Sequence, residues 1–98
     1  MLNGKEYLSP TGERVLISGD AAHLGAGDAI QDYTGPILCL HVIKPVGEFV
    51  RRGNAVIVSE GAGGAVELYA PCDGTVLWIN AAPEGAPRWL VKLRIALT

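Results

Sequence analysis

The chain has 98 residues, 49% of them hydrophobic and 18% charged, a composition that predicts one folded globular domain and not a disordered segment. Its net charge of -2, with no basic run longer than Arg51-Arg52, argues against nucleic-acid binding and against an electrostatic membrane anchor. Thirteen glycines and six prolines favour many turns and short strands over long helices.

The first residues contain no apolar run of signal-peptide length, and no apolar run reaches the roughly 20 residues of a membrane-spanning helix. The two cysteines, Cys39 and Cys72, are too few for a disulfide framework and do not form a Cys-x-x-Cys pair. We therefore expect a cytoplasmic protein with two reduced thiols.

We divide the chain into an N-terminal extension, residues 1–33, and a β domain, residues 34–98. In the extension the turn sequence Ser9–Gly12 lies between two apolar segments, which predicts a β-hairpin. The segment from Gly19 to Asp32 has no sustained hydrophobic period. We expect a loop there, with a short helix around Ala29 as the alternative.

In residues 34–98, short apolar segments separated by turn residues predict a series of strands. Pro36–Ile43 is apolar at nearly every position, which favours a strand buried on both faces. The last segment, Trp89–Leu97, alternates strictly and places Lys92 and Arg94 on the face opposite to its apolar residues. Between them lie three further predicted strands: Ala55–Ser59, Ala65–Ala70 and Thr75–Ile79.

A short internal repeat relates the two halves of the β domain. Gly35–Val42 aligns with Gly74–Ala81, and in each copy an apolar strand follows the glycine. A second glycine, Gly47 or Gly85, comes about a dozen residues later in each copy. Two similar halves that bury their apolar faces against each other predict an all-β fold, a flattened β-barrel or sandwich.

Two turn motifs resemble those of biotinyl and lipoyl carrier domains. Val46–Asn54 resembles the family's Gly-Asp-x-Val-x-x-Gly-Asp turn, and Ala70–Val76 is similar to its Ala-Pro-x-Asp-Gly-Thr-Val motif. The stretch that carries the resemblance runs from Gly35 to Ile79, about half of the chain. The resemblance implies the barrel-sandwich hybrid fold of that family, with Val50 turned into the core. The alternative is that both motifs are generic turns of a β-sandwich.

The chain departs from this family at the hairpin tip, where the carriers hold their cofactor on a lysine. Counting back from Ala70 places the acceptor position on Gly63, and no lysine occurs between Lys44 and Lys92. Glycine has no amine with which to form the amide bond. The corresponding tip comprises Glu60, Gly61, Ala62, Gly63 and Gly64.

These observations predict a non-catalytic structural or interaction module without cofactor or metal, which binds another protein or a second copy through this tip or an edge strand. One alternative is a carrier or accessory subunit of a biotin- or lipoyl-dependent complex, modified at Lys44 or Lys92. Another is a small metal-binding protein built on Cys39 and His41, which share a strand face, together with Cys72.

Overall fold

The structure, a computed structural model, describes residues 4–97, which form nine strands and one helix. Within these residues no helix has the length and apolar composition needed to cross a membrane. The elements are β1 (Lys5–Leu8), β2 (Glu13–Ser18), β3 (Ala21–Ala26), α1 (Asp28–Thr34), β4 (Ile37–Val42), β5 (Phe49–Val50), β6 (Ala55–Gly61), β7 (Gly64–Tyr69), β8 (Gly74–Ile79) and β9 (Val91–Ile95).

Two antiparallel sheets enclose the core, which confirms the predicted all-β, two-sheet class. One sheet has six strands in the order β1-β2-β3-β9-β8-β5, and the other has three in the order β4-β6-β7. Full burial of each valine or leucine side chain between them contributes roughly 1.5–3 kcal/mol. The fully buried residues of this core include Val15, Leu24, Val50, Val76 and Leu93 from the larger sheet and Val56, Ile57 and Leu68 from the smaller one.

The predicted N-terminal hairpin is confirmed, and its turn holds a buried carboxylate. The Ser9–Gly12 turn connects β1 to β2, and Glu13 follows it with only 1% of its surface exposed. The Glu13 carboxylate accepts hydrogen bonds from the hydroxyls of Ser9 and Thr11 and from the backbone N–H of Tyr69, the last at 2.9 Å. Because Tyr69 belongs to β7, this carboxylate joins the two sheets.

The prediction of a loop over Gly19–Asp32 is wrong, because most of this segment forms β3 and the first part of α1. The small residues of β3 give this strand no alternation of apolar and polar side chains in the sequence. At Gly25, for example, an added Cβ would lie 2.0 Å from the carbonyl oxygen of Arg88. The strand therefore needs a glycine where its pattern would otherwise show a side chain. The alternative of a short helix around Ala29 is confirmed by α1.

The division into residues 1–33 and 34–98 stays a prediction. Within the described part, β3 and β9 are hydrogen-bonded neighbours in one sheet, with Ala22 opposite Leu93. Residues 1–3 and 98 of the two predicted segments lie outside the described residues.

The double-sided burial predicted for Pro36–Ile43 is also wrong. In β4 only Ile37 is buried, whereas Leu38 and Val42 are 61% and 51% exposed. The physical reason is the position of β4 at the edge of the three-stranded sheet, where a neighbouring strand covers its side chains from one side only.

Two serine-to-alanine substitutions are expected to change stability in opposite directions. The Ser59 hydroxyl is fully buried and makes no hydrogen bond within residues 4–97, so Ser59→Ala is expected to preserve stability or raise it by up to about 1 kcal/mol. Ser9→Ala removes a donor to buried Glu13 and is expected to cost about 1–3 kcal/mol. Urea denaturation of both variants measures this, and a loss at Ser59 equal to that at Ser9 would contradict it.

Candidate functional site

The tip of the β6–β7 hairpin lies where the sequence predicts it. Gly61 pairs with Gly64 across the hairpin, and Ala62 and Gly63 form the connecting turn. Both turn residues are exposed, whereas Gly61 is buried.

This tip is packed against the end of α1. The backbone N–H of Gly63 donates a hydrogen bond to the carbonyl oxygen of Thr34 at 2.9 Å. A Cβ on Gly63 would lie 2.2 Å from the carbonyl oxygen of Tyr33, and one on Gly61 would lie 2.2 Å from that of Thr34. Since real Cβ atoms essentially never approach other heavy atoms within 3.0 Å, neither position accepts a side chain unless the backbone moves.

An amide-linked prosthetic group of the biotinyl or lipoyl kind does not fit this tip. Attachment needs a lysine amine, and Gly63, where the resemblance puts the acceptor, has neither an amine nor space for a side chain. The two lysines considered as alternatives lie on other elements. Lys44 follows β4 and places its Nζ 3.8 Å from Glu48, and Lys92 lies in β9 opposite Trp78.

Beside the tip, three side chains with metal-ligating atoms converge on the exposed face of the smaller sheet. Cys39 and His41 project from the same face of β4, and Glu60 in β6 lies directly opposite Cys39. The predicted set contained Cys72 in place of Glu60, and that prediction is wrong. Among the described residues the converging atoms belong to Cys39, His41 and Glu60, while Cys72 packs against the hydrophobic core.

Hydrogen bonds and partial desolvation set the protonation states of Glu60 and Cys39 in this cluster. The hydrogen bond with His41 is the main cause that holds the pKa of Glu60 below its usual value, and the contact with Cys39 adds to it. Partial desolvation and then the neighbouring Glu60 charge raise the pKa of the Cys39 thiol. The unliganded cluster therefore combines an ionised carboxylate with a protonated thiol, which is not a nucleophile at neutral pH.

Comparison with known proteins gives a consistent result over nearly the whole chain. The family profile described as "Glycine cleavage H-protein" matches residues 6–95. The glycine cleavage system H protein of Xanthobacter autotrophicus is 31% identical over 94 residues, which cover 86% of this chain and 74% of that protein. The H protein of Syntrophomonas wolfei is 35% identical over 82 residues, which cover 84% of this chain and 62% of that protein.

A solved structure shows the same fold. The crystal structure of a glycine cleavage system H protein from Mycobacterium marinum superposes with a TM-score of 0.78 and covers 97% of this chain and 87% of that one. Its sequence is 20% identical, so this likeness supports the barrel-sandwich architecture alone.

These comparisons correct the function predicted from the missing lysine. The expectation of a structural module outside any enzyme system is wrong, because the matching relatives are glycine cleavage system H proteins. The coarser resemblance to lipoyl-type domains is confirmed. The match over residues 6–95 shows that the chain belongs to the glycine cleavage H-protein family.

Proposed function

We propose that this chain works as the H-protein-type component of a glycine cleavage system, and that it acts by binding the other proteins of that system and is not itself a catalyst. The family match over residues 6–95 is the observation that carries this proposal. The raised pKa of the Cys39 thiol, which keeps the sulfur protonated, agrees with a non-catalytic role.

The hairpin tip is the surface that we propose for the partner contact. Ala62 and Gly63 are exposed, and the hydrogen bond from Gly63 to Thr34 holds them in one conformation. A surface that is already ordered loses little conformational entropy on binding. The ring of Tyr33, 59% exposed, lies beside Gly64 and offers the kind of aromatic anchor that contributes strongly to protein interfaces.

A binding experiment tests this function with the unmodified full chain. Titration into each purified protein of the host's glycine cleavage system, followed by calorimetry, is expected to show saturable binding to at least one of them. Intact-mass measurement after incubation with lipoate and a lipoate–protein ligase reports in parallel whether Lys5, Lys44 or Lys92 accepts the group. Absence of binding to every protein of the system would overturn the proposed function.

The variant Ala62→Arg is expected to weaken this binding by roughly tenfold or more, because it places a large charged side chain in the centre of the contact. Asp20→Arg introduces the same residue in the β2–β3 turn, at the end of β3 opposite to α1, and is expected to leave binding unchanged. Equal dissociation constants for the two variants would place the contact elsewhere.

Installing a lysine at the tip is expected to disturb the fold. Gly63→Lys forces a Cβ against the Tyr33 carbonyl oxygen, and we expect it to lower the free energy of unfolding by about 1–3 kcal/mol. The control Ala62→Lys, at the exposed neighbouring position, is expected to stay within about 0.5 kcal/mol of the unmodified chain. Urea denaturation measures both. Identical free energies of unfolding would show that the end of α1 moves away from the new side chain without a loss of stability.

A further inference from the structure

The side chains of Cys39, His41 and Glu60 form a cluster whose geometry is that of a ligand set. The sulfur of Cys39 lies 3.5 Å from Nε2 of His41 and 3.6 Å from Oε1 of Glu60. The same two atoms of His41 and Glu60 are 2.6 Å apart. One sulfur, one nitrogen and one oxygen thus surround a common point.

These distances agree with a tetrahedral metal ion. Zinc bonds of about 2.3 Å to sulfur and about 2.0–2.2 Å to nitrogen or oxygen place the ligand atoms roughly 3.3–3.6 Å apart. The two distances from the Cys39 sulfur already match this spacing. Only the contact between His41 and Glu60 must open, by about 0.7 Å. Both side chains have room to do so, since they are 57% and 46% exposed.

The arrangement favours a metal site over a catalytic triad. In a Cys–His–acid triad the two nitrogens of the imidazole contact different partners, one the nucleophile and the other the acid. Here the single atom Nε2 of His41 faces both the Cys39 sulfur and the Glu60 carboxylate. A proton relay through the ring has no path in this geometry, whereas a cation at the common point would contact all three donors.

We propose that Cys39 Sγ, His41 Nε2 and Glu60 Oε1 bind a divalent metal ion of the zinc class, with one coordination position open to solvent. Thiolate, imidazole and carboxylate together suit zinc better than magnesium or calcium, which prefer oxygen ligands alone. On binding, the thiol releases its proton to solvent and the sulfur becomes a thiolate ligand. The Nε2 proton that His41 donates to Glu60 is lost to solvent and Nδ1 takes up a proton, so that Nε2 offers its lone pair to the metal. The hydrogen bond between His41 and Glu60 is replaced by two bonds to the metal.

Titration of the full, reduced chain with zinc chloride and with cobalt chloride tests this site. We expect one ion bound per chain by calorimetry, and for cobalt a sulfur-to-metal charge-transfer band that reports the Cys39 thiolate. Cys39→Ser and Glu60→Gln are each expected to weaken binding by roughly tenfold or more, and Cys39→Ser to abolish the band.

The chain supplies matched controls, because it has one other cysteine and one other histidine. Cys72→Ser and His23→Asn are expected to bind as the unmodified chain does, since neither residue belongs to the cluster. Circular dichroism establishes that each variant is folded. No binding at about 1 mM metal, or equal loss in cluster and control variants, would overturn the proposal.

Discussion

The close approach of the β6–β7 hairpin to the end of α1 is the constraint on which the candidate site depends. It joins the N–H of Gly63 to the carbonyl oxygen of Thr34 at 2.9 Å and leaves no space for a Cβ at Gly61 or Gly63. Since Thr34 ends the helix and is itself buried, this contact satisfies a carbonyl that has no further helical partner. The tip is thereby held against the rest of the domain.

Much of the fold could be predicted from the sequence because its strands obey a simple alternation. Val91 and Leu93 of β9 are fully buried and Arg94 is exposed, as the alternating pattern requires. The pattern failed where packing requires the smallest residue. Gly25 lies in a strand, yet its lack of a side chain reflects the nearby carbonyl of Arg88 and carries no periodic signal.

The site could be predicted only in part, for a different reason. The spacing of Cys39 and His41 places them on one strand face, but their third partner depends on the register between β4 and β6, which the sequence does not reveal. That register selects Glu60 and excludes Cys72. The missing amine at Gly63 concerns one position, whereas the family match extends over residues 6–95.

The contact that holds the hairpin tip and the Cys39, His41 and Glu60 cluster lie on opposite faces of β6. Along β6, Ser59 and Gly61 are buried, whereas the carboxylate of Glu60 between them is 46% exposed. Because successive residues of a strand point to opposite faces, Gly61 meets the end of α1 while Glu60 meets Cys39 on the open side. The tip is held by backbone contacts and the cluster by side-chain atoms, so a change at one leaves the other's contacts in place. The proposed partner contact and the proposed metal site can therefore be tested separately, even though Glu60 and Ala62 are close in the sequence.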